Sequence, residues 1–244
     1  MGKRILVIPD VHGSLNWRAA MAYVNQFNEI ISLGDWFDSF ENNWDEVDQI
    51  NNLKEFIAFK NIYKDKVILL LGNHDFHYVC GMRSERYSGF QLHKMFDIYE
   101  FLRSVWNEFK IVHNIDNVYF SHAGVSKKWA ELYCLNNEND INSLWMEHQV
   151  QPFGFTGHGF DNHGDDFTQT PIWIRPLSLL GGVKYTNMFF NKQVVGHTAI
   201  PEYPWLFQEH PNEQLLLCDN RNHDLIDVTI DDGVIKEYKK FTIE

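Results

Sequence analysis

Short hydrophobic runs, each ended by a cluster of polar residues and glycine, recur along the first third of the chain. They cover residues 4–9, 29–33 and 66–71 and are rich in aliphatic side chains, as is typical of buried strands. The clusters after them read DVHG, GDWFD and GNHD. Between the runs, hydrophobic residues recur at helical spacing over about 16–28 and 45–63. This alternation predicts parallel βαβ units and therefore an α/β fold.

The remainder of the chain follows the same pattern less regularly. Residues 76–109 look mainly helical, and further strands are predicted at 117–125, 193–198, 214–220 and 225–241, the last with a hairpin turn at DDG. Residues 126–170 are the least regular part, and FGFTGHGFDNHGDDFTQTP reads as a long loop or lid. Because no repeat or linker is present, we expect one domain over residues 1–244, with a lid or insert at about 126–170.

Length and charge narrow the class of protein. The chain has 244 residues, enough for one large domain with a hydrophobic core. Its net charge of −12 argues against sequence-independent binding of long nucleic acid, but it does not argue against phosphate substrates, because bound cations add positive charge. No hydrophobic stretch approaches the length of a membrane span, and three widely spaced cysteines predict no disulfide framework. We therefore expect a cytoplasmic protein with no membrane partner.

The polar residues at the predicted strand ends form a set of potential metal ligands. They are Asp10, His12, Asp35, Asp38, Asn73, His74, Asp75, His122 and His197. Loops that follow parallel strands meet at one edge of a sheet, so we expect these side chains to lie together. Mixed carboxylate, amide and imidazole donors suit borderline divalent metals such as manganese, iron and zinc. One metal needs only three or four ligands, so the surplus indicates two adjacent metals that share a carboxylate.

Five blocks carry a resemblance to a known family. DVHG (10–13), GDWFD (34–38), GNHD (72–75), SHAG (121–124) and GHT (196–198) resemble, in order, the motifs of the calcineurin-like metallophosphoesterase superfamily. The nearest branch is that of the phosphoprotein phosphatases, with their short bacterial and bacteriophage members and the symmetrical diadenosine tetraphosphate hydrolases. The resemblance implies a metallophosphoesterase-like β-sandwich of mixed sheets flanked by helices. It also implies phosphoester hydrolysis by a hydroxide that bridges two divalent metals, with manganese favoured and iron, zinc, cobalt or nickel as alternatives.

The resemblance further implies roles for individual residues. The family's metal ligands match Asp10, His12, Asp35, Asn73, His122 and His197, and Asp35 matches the bridging carboxylate. His74 matches the proposed general acid, and Asp38 matches the carboxylate that pairs with it. IWIRP (172–176) resembles the Trp-x-Arg block, so Arg175, together with Asn73, is the candidate for binding the substrate phosphate.

One position departs from the family pattern and leaves the substrate open. The usual GDxxDRG reads GDWFDSF, so Ser39 stands where a phosphate-binding arginine is expected. Arg83, Arg86 and Arg221 are candidates to replace it, although the sequence positions none of them. We favour phosphomonoesters of a protein or a small molecule as substrates, with a nucleotide phosphoanhydride as the alternative. A non-catalytic scaffold is disfavoured because all six ligands and His74 are retained.

Three further groups of residues invite functional interpretations. His148, His158 and His163 suggest a third metal, but their spacing fits no compact pair, so we favour a solvated loop. Four large side chains could stack on a base, but we favour packing in the core or lid; they are Trp145, Met146, Trp173 and Trp205. Five glycines are expected to let the backbone turn sharply beside the metals; they are Gly13, Gly34, Gly72, Gly124 and Gly196.

Overall fold

Two β-sheets packed face to face form the centre of the fold. The computed structural model describes residues 2–39, 49–79, 89–147, 166–181, 187–210 and 212–242. In chain order the strands are β1 (Lys3–Ile8), β2 (Glu29–Ser32), β3 (Val67–Leu70), β4 (Phe109–Lys110), β5 (Val112–Ile115), β6 (Val118–Ser121), β7 (Lys192–Val195), β8 (Trp205–Phe207), β9 (Gln214–Leu217), β10 (Ile226–Asp231) and β11 (Val234–Lys240).

Each sheet has parallel strands at its centre. The first has the order β11-β10-β1-β2-β3-β4, in which β1 to β4 are parallel and β10 pairs antiparallel with both β1 and β11. The second has the order β5-β6-β7-β9-β8, in which β6, β7 and β9 are parallel and the two edge strands are antiparallel. The parallel strands therefore end side by side in both sheets. The predicted ligands lie in the loops directly after these strand ends.

Alternate residues of the central strands serve two different cores. Val7 of β1 packs with Phe120 of β6 and Leu216 of β9 in the core between the sheets. Leu6, the preceding residue, instead packs with Trp17 on the outer side of the first sheet. Successive side chains of a strand point to opposite faces, and here both faces are buried, so the sequence of β1 is continuously hydrophobic.

Helices cover the outer faces of both sheets. They are α1 (Ala19–Tyr23), α2 (Gln49–Tyr63), α3 (Asn73–Val79), α4 (Met95–Ser104), α5 (Lys127–Leu132), α6 (Glu138–Glu147) and α7 (Pro176–Leu180). The first six contribute to the core outside the first sheet, and Leu179 of α7 packs outside the second. The predicted sandwich of mixed sheets flanked by helices is confirmed. None of the described helices is long and hydrophobic enough to cross a membrane.

Several predicted elements differ from the structure. The helix expected over 16–28 is the short α1 between two 3-10 helices, Asn16–Arg18 and Val24–Gln26. The chain was expected to be mainly helical to about residue 109, where β4 begins, and no element was predicted over β5; both strands are short and partly polar. The prediction that the chain is irregular from residue 126 was wrong where α5 and α6 form. Ser126 caps α5 by accepting a hydrogen bond from the Trp129 N–H, and α6 buries Ile141 at helical spacing from Trp145.

Part of the predicted lid lies outside the described residues. This part is residues 148–165, which include His148, His158 and His163. The lid therefore stays a prediction. Of the four large side chains considered for stacking, Trp145 and Trp173 are buried, whereas Met146 and Trp205 are exposed.

Candidate metal centre

Five parallel strands from the two sheets deliver the predicted ligands to one place. Asp10 and His12 follow β1, Asp35 follows β2, Asn73 follows β3, His122 follows β6 and His197 follows β7. All six except His12 are buried. The sandwich thus assembles ligands that are up to 187 residues apart in the chain.

Asp35 lies at the centre of this cluster. Its Oδ2 is 3.7 Å from Nε2 of His12 on one side and 3.5 Å from Nε2 of His122 on the other. Potential ligand atoms of His12, Asp35 and His74 lie within 4.8 Å of one another, as do those of Asp35, His122 and His197. Asp35 belongs to both groups and lies between His12 and His122, an arrangement that a carboxylate shared by two metals would need.

Asp10 joins the two sheets directly. Its carboxylate accepts hydrogen bonds from the His197 backbone N–H at 3.0 and 3.1 Å, and Oδ1 lies 3.9 Å from Nδ1 of His122. Asn73 Oδ1 lies 2.9 Å from Nε2 of His122. All six predicted ligands therefore belong to one continuous cluster.

Backbone carbonyls hold the three ligand imidazoles. Nδ1 of His12 bonds to the Phe37 carbonyl, and Nδ1 of His122 bonds to the Leu33 carbonyl, both at 2.9 Å. His197 uses Nε2 instead, on the Trp173 carbonyl at 2.9 Å. A carbonyl only accepts, so the bonded nitrogen carries the proton and the other nitrogen keeps a lone pair for a cation. This is the usual support of metal-binding histidines.

The electrostatics of the cluster fit a bound cation. Burial raises the pKa of Asp10 and of Asp35 well above the usual range, and the negative charges of neighbouring carboxylates raise them further. Burial also lowers the pKa of His12 and of His122 to about 3 and lowers that of His197. Carboxylates and neutral imidazoles withdrawn from water in this way are stabilised when a divalent cation binds between them. Their oxygen and nitrogen donors suit borderline divalent metals.

His74 and Asp38 form a pair beside this cluster. His74 Nδ1 lies 2.9 Å from Asp38 Oδ2, and the His74 backbone N–H donates to Asp35 Oδ1 at 2.8 Å. Burial favours the neutral form of Asp38, but hydrogen bonds from His74 and His77 outweigh it and lower its pKa to about 2. Asp38 therefore remains a carboxylate that orients the His74 ring.

Asp38, His74 and His77 could in principle hold a cation of their own. However, Oδ2 of Asp38 lies 2.9 Å from the His74 nitrogen and only 2.5 Å from Nε2 of His77. Ligands about 2.0–2.2 Å from a tetrahedral ion would be roughly 3.4 Å apart, so these are hydrogen-bond distances. We interpret this group as a hydrogen-bonded network.

Arg175 lies at the edge of the cluster. Its Nη1 donates to the His197 carbonyl at 3.0 Å and to Thr198 Oγ1 at 3.1 Å, and its guanidinium carbon is 5.8 Å from the Trp173 ring centroid. Its charge lowers the pKa of His197, although burial has the larger effect. The same IWIRP segment thus supplies a cation to the site and the carbonyl that orients His197.

The loops that present the ligands have unusual backbone conformations. Among the described residues, ten non-glycine residues have positive φ, and four of them are predicted site residues: His12, Asp35, Asp38 and His197, at 41 to 63°. Such conformations are costly and concentrate at functional sites. They turn the chain abruptly at the strand ends and aim the side chains at one another.

Gly72 and Gly196 make room for the two central carboxylates. A Cβ on Gly72 would lie 2.1 Å from Asp35 Oδ1, and one on Gly196 would lie 2.3 Å from Asp10 Oδ1. Neither glycine has the positive φ that a sharp left-handed turn would require. Close approach of a carboxylate is therefore the reason that these two positions have no room for a side chain.

The structure gives roles to two residues that the sequence-based prediction did not explain. Asp75, included there only as one of the polar residues at the strand ends, accepts hydrogen bonds from the backbone of Asp35, Trp36 and Gly72. His223, which was not predicted at all, bonds through Nδ1 to the Asp10 carbonyl at 2.7 Å, and its ring centroid is 6.2 Å from that of His12. No sequence motif pointed to His223, because a loop from a distant part of the chain brings it to the site.

The second phosphate-binding arginine remains unassigned. Ser39 is partly buried on the loop after β2. Arg221 is exposed on the loop after β9, whereas Arg83 and Arg86 lie outside the described residues. Arg175 is thus the predicted phosphate-binding cation that the described part of the chain brings to the centre.

Comparison with known proteins places this geometry in a family. A family model described as calcineurin-like phosphoesterase matches residues 3–230. The chain belongs to the calcineurin-like phosphoesterase family. It is therefore a hydrolase with phosphoesterase activity, and the resemblance found in the sequence is confirmed. Family members use divalent metals, which the buried histidine and aspartate clusters of this phosphoesterase are able to bind.

Solved structures were also compared with this chain, and the first one agrees with the assignment at the level of the fold. A protein serine/threonine phosphatase from Saccharomyces cerevisiae with similarity to human phosphatase PP5 is 13% identical, with a TM-score of 0.55 over 99% of this chain and 81% of that chain. A metallophosphoesterase from Sphaerobacter thermophilus is 13% identical, with a TM-score of 0.45 over 94% and 83% of the respective chains. A search of curated proteins gave no match.

Proposed function

We propose that this phosphoesterase hydrolyses phosphomonoesters, carried by a protein or a small molecule, with two divalent metals of which manganese is favoured. One observation carries the proposal: Asp35 Oδ2 lies 3.7 Å from Nε2 of His12 on one side and 3.5 Å from Nε2 of His122 on the other, and Asp35 also contacts the His74 that Asp38 orients. Such an arrangement combines a shared metal position with a proton donor on one side of it.

The ligands divide between two positions. Asp10, His12 and Asp35 would hold the first metal, and Asp35, Asn73, His122 and His197 would hold the second. When bound, the pair would supply Lewis acidity and an activated water. The protein would contribute imidazole rings that backbone carbonyls hold in place, and a carboxylate that lies between the two metal positions.

Arg175 and His74 act on the substrate, and Asn73 does so in addition to holding the second metal. Arg175 and Asn73 bind phosphate oxygens, and the planar, permanently charged guanidinium suits this role. As the oxygen of a water that has lost one proton to solvent forms a bond to phosphorus, the bond from phosphorus to the leaving oxygen breaks. His74, protonated on both ring nitrogens, transfers the proton on Nε2 to that leaving oxygen, while Nδ1 stays hydrogen bonded to Asp38. His74 then regains a proton from solvent. The products are inorganic phosphate and an alcohol or phenol.

Cleavage of a nucleotide phosphoanhydride is the second candidate, and Ser39 favours it. The family's usual arginine at this position would bind a terminal phosphate, and a serine lacks that charge. A substrate panel separates the candidates: a phosphopeptide, p-nitrophenyl phosphate and diadenosine tetraphosphate, each with manganese-loaded protein. Release of phosphate from the first two supports the proposal, whereas turnover confined to the tetraphosphate would replace it with the second candidate.

Two variants test the roles within the site. Asp35→Asn should lose metal and activity together, because it removes the shared charge. His74→Ala should keep its metals and lose about 10²- to 10⁴-fold in turnover on substrates with poor leaving groups. His93→Ala, at an exposed histidine, is the matched control and should change neither metal content nor turnover. Full metal binding and activity in Asp35→Asn would contradict the shared-carboxylate assignment.

A further inference from the structure

Three side chains on one face of a single helix contact the Asp38 carboxylate. His74 Nδ1 lies 2.9 Å from Oδ2 of Asp38, and His77 Nε2 lies 2.5 Å from the same oxygen. The Tyr78 hydroxyl donates to the other oxygen, Oδ1. Residues 74, 77 and 78 are spaced i, i+3 and i+4, so α3 places all three side chains on the face toward Asp38.

The Tyr78 contact is part of a closed ring of hydrogen bonds. The Tyr78 hydroxyl accepts from the Gln91 backbone N–H at 2.7 Å, and Gln91 Nε2 donates to Gln49 Oε1 at 2.8 Å. That same Gln49 oxygen accepts from the Asp38 backbone N–H at 3.1 Å, which returns the ring to Asp38. The ring therefore fixes both the backbone and the carboxylate of Asp38. Fully satisfied buried networks of this kind rigidify the groups they join.

Aromatic packing holds the ring in place. Tyr78 stacks on Phe90, with ring centroids 4.7 Å apart and planes 15° apart, and His77 meets the edge of the same ring at 4.9 Å. Asp38, His77 and Tyr78 are all buried. Burial and the charge of Asp38 raise the pKa of Tyr78, so its hydroxyl keeps its proton and remains a donor.

The backbone at Asp38 does not by itself fix the orientation of the carboxylate, so other contacts must do so. The residue lies in a loop with φ of 62°, outside any strand or helix, and its carboxylate could rotate about the bond to Cβ. A donor on each oxygen prevents that rotation. With Oδ1 bonded to Tyr78, Oδ2 stays directed at the His74 and His77 nitrogens.

We propose that His77 and Tyr78 are positioning residues for proton transfer, holding the Asp38 carboxylate in the orientation that fixes His74. This inference rests on the proposed function, in which His74 protonates the leaving oxygen. Both side chains are buried, so we expect neither of them to contact the substrate. Their effect should therefore appear only where proton transfer limits the rate, which distinguishes positioning from a general contribution to stability.

The kinetic test uses two substrates with different leaving groups. Tyr78→Phe removes only the hydroxyl, and we expect about a 10-fold lower kcat on phenyl phosphate, a fraction of the full contribution of a general acid. On p-nitrophenyl phosphate, whose leaving group needs little protonation, we expect a change within about 2-fold. KM and metal content should be unchanged. Tyr119→Phe removes the same group from a partly buried tyrosine of the second sheet and is the control.

A second pair of variants covers the case in which Tyr78→Phe does not fold. His77→Leu removes the polar nitrogen that faces Asp38, whereas His77→Gln keeps an N–H group at a similar distance from the backbone. We expect His77→Leu to show the same dependence on the leaving group and His77→Gln to restore most of the turnover. Equal losses in the two variants, on both substrates, would overturn the inference.

A spectroscopic readout keeps the inference separate from the proposed function. The Nδ1 proton of His74 can be followed by nuclear magnetic resonance in labelled protein, and we expect its resonance to shift or broaden in Tyr78→Phe and His77→Leu. If His74→Ala shows no dependence on the leaving group, the proposed acid role fails and this resonance alone decides the inference. A resonance that stays in place in both variants overturns it.

Discussion

The backbone N–H of Asp35 donates a hydrogen bond to Oδ2 of Asp75 at 2.9 Å. Asp75 also accepts from Gly72 through Oδ2 at 3.0 Å and from Trp36 through Oδ1 at 2.7 Å. One buried carboxylate thus ties the loop after β2 to the loop after β3. It holds the backbone of Asp35, the carboxylate that we propose to be shared by the two metals.

Asp75→Asn should therefore weaken both the fold and the metal site. The amide group would place a donor against a backbone N–H, and an unsatisfied buried group costs about 1–3 kcal/mol in the free energy of unfolding. Metal affinity should fall about 10- to 100-fold, as for other supporting residues. Urea unfolding and metal titration check both effects, at about pH 8, because burial raises the pKa of Asp75 to about 7. Asp232→Asn, at an exposed turn, should change stability by less than about 0.5 kcal/mol.

Gly72→Ala should displace Asp35. The new Cβ would lie 2.1 Å from Asp35 Oδ1 and 2.4 Å from its backbone nitrogen, so either the loop or the carboxylate must move. We expect a loss of about 1–3 kcal/mol in stability from overpacking, together with weakened metal binding. Gly2→Ala is the control, because its nearest neighbour would be 3.1 Å away. A Gly72→Ala protein with normal stability and metal content would show that the glycine is not required.

Removing metal should lower stability, and the stabilisation by manganese should grow with pH. In the metal-free protein the raised pKa values of Asp10 and Asp35 make the folded chain bind more protons than the unfolded chain. Their contribution to stability is fully present below about pH 4 and is lost as pH rises through the raised values. Protons therefore compete with the metal at lower pH. The histidines do not compete, because His12 and His122, with pKa values of about 3, stay neutral.

Thermal unfolding of chelator-treated protein, with and without manganese, tests this pH dependence. We expect a larger rise in Tm on adding manganese at about pH 8 than at about pH 5.5. Asp35→Asn should remove most of the difference. An equal rise at both values of pH would contradict the assignment of these carboxyls as ligands.

Arg175→Lys should weaken binding of phosphate while the metal site stays intact. Lysine keeps the charge but cannot present two parallel donors to a phosphate group. We expect the inhibition constant of inorganic phosphate to rise about 10-fold, within the range of a lost charged hydrogen bond. Inhibition kinetics and metal analysis provide the check, with Arg18→Lys at an exposed ion pair as the control. An unchanged inhibition constant would exclude Arg175 from phosphate binding.

The central strands could be predicted from the sequence because they are buried on both faces. Residues 29–33 were predicted as a strand, and β2 covers Glu29–Ser32. A run of hydrophobic residues closed by glycine and charged residues has few other interpretations. The strands β4 and β5 were missed because short edge strands are only partly buried, and their sequences mix polar and hydrophobic residues.

By itself the sequence determined which residue types stand at the ends of buried strands, and hence that Asp10, Asp35 and His197 could meet at a metal. The end of a buried strand can be recognised from a few consecutive residues, because it is a local property of the sequence. Only the tertiary structure decided how the residues of the site are held. The Trp173 carbonyl is hydrogen bonded to His197, Asp75 accepts a hydrogen bond from the Asp35 backbone, and α3 contacts Asp38 through Tyr78. Those contacts join segments distant in the chain, and their distances depend on how two sheets and their helices pack, which no local pattern encodes.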